Sequence, residues 1–227
     1  QEWSSAMTIN VIITGATGMV GKGVLLECLE SDDVASVLSI SRRPNGLRHA
    51  KMREVILSDV SDLEGIDADL SQADACFFGL GVSSFRMSEA DYRAISYDLT
   101  LKFANTLVAK NPAMTFCYVS GAGTNAASKT MWARVKGETE NALMALPFKA
   151  AVMFRPGLIE PMEGVQPTSK MARRFLKVFG FIFPLMRAIA PNTVTTTSAI
   201  GRAFINVSIN GSGPNVLGPA EINRLGL

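Results

Sequence analysis

The sequence predicts an α/β fold, a doubly wound parallel sheet with helices on both faces. Two observations carry this. Apolar runs of strand length alternate with segments of helix length from residue 9 to residue 155, as consecutive βαβ units require. The first run, Ile9–Thr14, also passes directly into a glycine-rich turn, Gly15, Gly18 and Gly21, that opens a helix.

Taken in order, Ile9–Thr14 reads as a strand and Met19–Glu30 as a helix with Val20, Val24, Leu25 and Leu29 on one face. Val34–Ser41 is the second strand and residues 55–57 a short third. Residues 73–79 form a fourth, apolar on both faces as a buried parallel strand should be. Residues 88–110 make a long helix, with Ser88 as N-cap and Glu89 and Asp91 at its positive end. Residues 113–120 are the fifth strand, and residues 129–146 a helix stopped by Pro147. Residues 150–155 are the sixth strand, ended by Pro156 and Gly157.

Beyond Gly157 the pattern changes. Residues 159–168 are loop-like. Residues 175–190 are strongly apolar, interrupted by Gly180 and Pro184, and residues 195–207 read as a helix before a tail rich in glycine and proline. The reading is a single domain, 7–227, in which residues 158–227 form a C-terminal substrate cap over the carboxyl edge of the sheet. Met7 reads as the natural start, with residues 1–6 added ahead of it.

The bulk properties narrow the function classes. With 227 residues, 48% hydrophobic and 19% charged, the chain suits one α/β domain with a sizeable core. A net charge of +2 gives no concentrated basic face for nucleic acid. Cys28, Cys76 and Cys117 are odd in number, widely spaced and set in apolar runs. They read as buried thiols in a reducing, cytoplasmic setting, not as a disulfide framework. One histidine, His49, and scattered cysteines do not make a zinc site. The start lacks a signal-peptide profile, and no apolar run reaches the ~20 residues that span a bilayer.

The glycine turn is where the chemistry begins. Gly15 permits a tight turn, Gly18 lets backbone approach phosphate, and Gly21 lets the helix pack closely on the strand. Backbone N–H groups from Thr17 to Met19 and Val20 would face a dinucleotide pyrophosphate. The bland alternative is a glycine-rich turn before an ordinary helix. At the end of the second strand, where an acid would hold NAD ribose hydroxyls, stand Arg42 and Arg43. A guanidinium pairs with a 2′-phosphate in bidentate fashion, so NADP is expected in preference to NAD. Asp59 and Val60 are placed to meet the adenine, and Gly79, Leu80 and Gly81 to pass close to the cofactor's middle.

By these ordered motifs the chain resembles an atypical short-chain dehydrogenase/reductase of the NAD(P)-binding, epimerase/dehydratase-like group that includes the Tat-interacting proteins. The resemblance covers residues 9–157 and extends more loosely to Gly201, Arg202 and Ala203. It implies a Rossmann sheet with the active site at the strand carboxyl ends and a Ser-Tyr-Lys set beside the nicotinamide. Ser120 matches the serine, Lys136 the lysine, and Pro156, Gly157 and Leu158 the turn at the nicotinamide amide. The tyrosine position, four residues before the lysine, holds Trp132. In such a set tyrosine gives or takes the proton, and the lysine charge lowers its pKa. An indole N–H is a donor only, so ordinary proton relay at Trp132 is excluded. Tyr118, on the same strand face as Ser120, is a structural tyrosine or a substitute relay.

The resemblance implies an NADP-dependent oxidoreductase or epimerase-like protein acting on a small apolar carbonyl substrate, with Ser120, Lys136 and Trp132 at the catalytic position. The alternative is a non-catalytic NADP(H)-binding sensor or scaffold. Residues 175–190 read as a lid or core pair in preference to a membrane-surface contact. A homodimer through the helices at 88–110 and 129–146 is a further implication of the family.

Overall fold

The computed structural model describes residues 8–161 and 193–227. The expectations for residues 1–6 and 175–190 lie outside the described residues. Nine strands are present among those described: β1 (Ile9–Thr14), β2 (Val34–Ser41), β3 (Met52–Ile56), β4 (Ala75–Phe78), β5 (Thr115–Val119), β6 (Ala150–Phe154), β7 (Leu158–Glu160), β8 (Val194–Thr196) and β9 (Val216–Leu217). The helices are α1 (Met19–Glu30), α2 (Asp67–Gln72), α3 (Glu89–Arg93), α4 (Leu99–Lys110), α5 (Met131–Met144), α6 (Thr197–Asn210) and α7 (Pro219–Leu225).

Seven strands pair in the order β3-β2-β1-β4-β5-β6-β9, and every pairing is parallel. The chain starts in the middle, winds outward to β3, then returns past β1 to build the other half. This is the doubly wound Rossmann-like sheet, and its reversal point lies at the carboxyl ends of β1 and β4. The period of two sorts the side chains into two cores. Val11, Ile13, Phe77, Cys117 and Phe154 face α1 and α6, while Ile12, Cys76, Phe78, Phe116 and Met153 face α4 and α5. On the first face Phe204 meets Phe154 edge-on, with ring centroids 4.3 Å apart. On the second, Phe78 packs against Phe103, Phe116 and Tyr118. All three cysteines are buried and free, and burial pushes the Cys117 thiol up to about 12.

Three sequence expectations change. The helix expected at 88–110 is interrupted by a π-helical turn, Ala94–Asp98, between α3 and α4. There Thr139 on α5 donates to the Ser96 carbonyl at 3.2 Å. Within the segment expected as a cap, β9 extends the main sheet beside β6 and α6 packs on α1, so residues 197–227 also build the layers of the sheet domain. The close fit of α6 on α1 comes from glycines on both sides: a Cβ at Gly23 would lie 2.4 Å from Thr197 Cβ, and one at Gly201 would lie 2.8 Å from Glu27 Cβ. The loop expected over residues 159–168 begins instead inside a strand, β7, which pairs with β8 in a separate two-stranded ribbon.

Candidate functional site

Because the main sheet is parallel, β1, β2, β4, β5 and β6 all deliver their last residues to one edge. Two groups of expected residues gather there. The first surrounds a cleft of about 320 Å³ lined by Gly15, Thr17, Gly18, Arg42, Arg43, Val60, Gly79, Leu80 and Gly81, together with Ile40 and Ser41. A smaller hollow of about 200 Å³ adjoins it, with Asp59, Val82, Ile95 and Leu99 in its wall. A larger hollow of about 620 Å³ lies at the other end of α1, between Glu27 and Arg202, and shares none of these residues.

The turn has the shape its glycines allow. Gly15 sits at φ +75°, and a Cβ there would lie 2.5 Å from the Gly79 carbonyl. A Cβ at Gly21 would lie 2.2 Å from the Gly15 oxygen, so α1 can approach β1 this closely only without one. Gly18 is the N-cap of α1, and no side chain caps that end. The first-turn N–H groups of Met19 and Val20 are therefore among the donors that helix geometry leaves unpaired, and they carry the positive end of the helix dipole. A Cβ at Gly81 would meet nothing within 4 Å, so the middle of the cleft is open. This cradle fits a pyrophosphate.

At the β2 end, the Ser41 hydroxyl donates to the Arg43 carbonyl at 2.6 Å and folds the arginine pair toward the cleft. Both arginines are exposed, and neither pairs with a carboxylate among the described residues. Asp59 at the neighbouring hollow accepts from the Ser61 N–H and hydroxyl, which hold its carboxyl below the usual carboxylate range.

The second group sits where β5 and β6 end. Lys136 Nζ donates to the carbonyls of Val119 (3.1 Å) and Ser120 (2.9 Å). Burial pulls its pKa down to about 8, against the opposing charge of Glu140. Trp132 lies one turn earlier on α5, its ring edge against the Gly121 and Gly123 turn; a Cβ at Gly123 would lie 3.7 Å from Trp132 Cη2. Its indole N–H makes no hydrogen bond among the described residues. Ala122 N–H donates to the Pro156 carbonyl at 2.9 Å, tying the two loops together. Gly157 has a structural reason of its own, since a Cβ there would lie 2.3 Å from the Thr193 carbonyl. Leu158 is exposed and belongs to β7.

Ser120 is placed differently from the family expectation. Its hydroxyl donates to Glu140 Oε1 at 2.5 Å, and the Phe154 carbonyl lies 3.2 Å away. Glu140 is buried and takes a forked contact from Arg155, with Nε at 3.0 Å and 3.2 Å from its two oxygens. Sequence reasoning missed Glu140 and Arg155. The available signal was Glu140 standing four residues after Lys136, on the same helix face. Tyr118 is also buried among packing residues; burial raises its pKa first, and it is a core tyrosine here.

No family model matches the chain. Solved structures share its fold. An oxidoreductase of the short-chain dehydrogenase/reductase family from Burkholderia thailandensis superposes with a TM-score of 0.70 at 15% identity, over 95% of this chain and 93% of that one. WbmH of Bordetella bronchiseptica, solved with NAD+, gives 0.66 at 16% identity, over 93% and 75%. The chain therefore has the short-chain dehydrogenase/reductase fold. Nearer in sequence is the mitochondrial protein fmp52 of Aspergillus fumigatus, 30% identical over 209 residues, covering 88% of this chain and 87% of that protein. The fmp52 protein of Emericella nidulans is 29% identical over 218 residues, covering 90% and 91%. The chain belongs to the fmp52 family.

The cytoplasmic expectation is corrected by these relatives, which are named as mitochondrial proteins. The cysteine argument behind it was too coarse, because free buried thiols indicate a reducing setting without saying which compartment supplies it. Among the described residues no helix is long and apolar enough to cross a membrane.

Proposed function

We propose that this fmp52-family chain binds a nicotinamide nucleotide along the carboxyl edge of its sheet, NADP(H) in preference to NAD(H), in a mitochondrial setting like that of its relatives. The observation that carries the reading is the cleft in which Gly15, Gly18 and Gly21 form a phosphate cradle while Arg42 and Arg43 stand at its rim with no carboxylate partner among the described residues. Met19 and Val20, at the end of the Thr17–Val20 turn, would hold the pyrophosphate by backbone N–H groups. The arginines would take the 2′-phosphate. Asp59 and Val60 would border the adenine, and Lys136 would hold the nicotinamide ribose. The same motifs support a place near the Tat-interacting-protein-like group.

When bound, the nucleotide supplies or accepts a hydride. For turnover of a small apolar carbonyl compound, the protein must then move a proton. Trp132 has no transferable proton at neutral pH, and the Ser120 hydroxyl already donates to Glu140. These two placements favour a second reading of the site, a holder of NADP(H) that lacks ordinary reductase chemistry. Calorimetric titration with NADPH and NADH tests the binding proposal, and equal affinities would sink the NADP preference. NADPH consumption over a panel of aldehydes, ketones and quinones then separates the readings. Turnover that survives Trp132→Phe and dies with Ser120→Ala supports an enzyme; no turnover on any of them supports the holder.

A further inference from the structure

Glu140 is the most completely buried carboxylate near the site, with 1% of its side chain exposed. Its Oε1 accepts from Ser120 Oγ, and its two oxygens share the Arg155 guanidinium. Lys136 precedes it by one helical turn, so the two side chains leave α5 on the same face. Ser120 joins them. Its carbonyl accepts from Lys136 while its hydroxyl donates to Glu140, and its N–H donates to the Phe154 carbonyl at 2.8 Å. A lysine ammonium has three donors. Two go to the Val119 and Ser120 carbonyls, which among the described residues leaves one for a ligand.

We propose that Glu140 is a positioning residue of the nucleotide site: it anchors Ser120, whose carbonyl holds the Lys136 ammonium, and its charge favours that ammonium, so that nucleotide affinity falls as the ammonium loses its proton. The inference rests on the cofactor reading above. Among the described residues the groups facing Lys136 are few. Glu140 comes from its own helix. From β5 comes Tyr118, whose ring lies 5.6 Å from Nζ. Arg155 comes from β6, on the far side of Glu140. Tyr92 from α3 acts on Tyr118 behind it. Burial disfavours the charged ammonium, and Glu140 is the charge that opposes this. Loss of the ammonium proton removes a charge-assisted donor, worth about tenfold in affinity.

The test uses the full chain as wild type, Glu140→Gln, Arg155→Gln and Lys136→Met. NADPH affinity is measured by calorimetry from about pH 6.5 to about pH 9.5, a range around the lowered lysine pKa. Wild type should lose about tenfold across it. Glu140→Gln should move the midpoint down by about half a unit or more, because it removes a negative neighbour. Arg155→Gln should move it up, because it removes the cation that offsets Glu140. Lys136→Met should bind weakly and without this pH dependence. If Glu140→Gln weakens binding equally at every pH, or both Gln variants leave the midpoint unmoved, the proposal is overturned.

Urea unfolding of the same proteins gives a readout without nucleotide. The lysine pKa is lower folded than unfolded, so between about pH 8 and about pH 10.4 the unfolded chain binds more protons. Stability therefore gains a rising contribution across that window. The contribution should vanish in Lys136→Met, start at lower pH in Glu140→Gln and at higher pH in Arg155→Gln. With these shifts present and NADPH binding to none of the proteins, the cofactor reading fails and the Glu140–Lys136 coupling stands. With NADPH bound and no such shifts, the coupling fails and the cofactor reading stands. Should Glu140→Gln not fold, the upward shift in Arg155→Gln decides alone.

Discussion

Arg155→Ala should be one of the most destabilising single changes near the site, and the structure gives the size. Glu140 is 1% exposed and the Arg155 side chain 32% exposed. Removing the guanidinium leaves a buried carboxylate whose direct partner among the described residues is the Ser120 hydroxyl, with no cation in ion-pair contact. Breaking a buried pair from one side costs about 3–5 kcal/mol. Water reaches the arginine, so the lower end, about 3 kcal/mol, applies here. For a domain of this size each kcal/mol moves Tm by about 2–4 °C, so a fall of about 6–12 °C is expected. The assay is thermal unfolding followed by circular dichroism, at about pH 8. Arg155→Met combined with Glu140→Leu should recover most of the loss, because a matched apolar pair carries no unpaired charge. A Tm within about 2 °C of wild type, or a double variant as poor as the two single losses added, would refute the reasoning.

Four further outcomes are expected. Arg42→Ala with Arg43→Ala should weaken NADPH by about 10- to 100-fold, the loss of about 1.5–3 kcal/mol of charge-assisted pairing, and leave NADH within about twofold; calorimetry at low and high salt checks it. Gly18→Val should abolish NADPH binding in a folded protein, since a Cβ there lies 3.2 Å from the Gly15 oxygen, a tight contact that the turn relieves by giving a few tenths of an ångström. Gly21→Ala, whose Cβ lies 2.2 Å from that oxygen, should instead lower Tm by about 2–12 °C. Trp132→Tyr should bring a phenol one turn from Lys136 and give weak new carbonyl reduction with NADPH, read as absorbance loss. A wild type that turns over briskly and is slowed by this change would point to chemistry built around the indole.

The fold was legible because its signals are local. Ile9–Thr14 and the glycines after it name a strand, a turn and a helix within 13 residues of chain, from Ile9 to Gly21. The buried strands around Phe77 and Cys117 show as continuous apolar runs. What stayed hidden depends on distant partners. β9 is two residues long and stands in a glycine- and proline-rich tail, so only its pairing with β6 makes it a strand. α2 is six residues long and mostly polar, too short for a periodic pattern. The break at Ala94–Asp98 leaves no mark in composition. In the site, Arg42 and Arg43 were readable from their position after β2. Glu140 and Arg155 were not, because a charged residue in sequence reads as surface, and only the packing of α5 on β5 and β6 buries the pair. Ser120 was found by its spacing, but the direction of its hydroxyl follows from Glu140.

The central claim, that the carboxyl edge of the sheet is an NADP(H) site, is tested most directly by a crystal structure of the full chain grown with NADPH. The account predicts the pyrophosphate on the N–H groups of Met19 and Val20, the 2′-phosphate between Arg42 and Arg43, and the nicotinamide ribose within hydrogen-bond reach of Lys136. Crystals grown at saturating NADPH with that edge empty, or with the nucleotide seated elsewhere on the molecule, would contradict it.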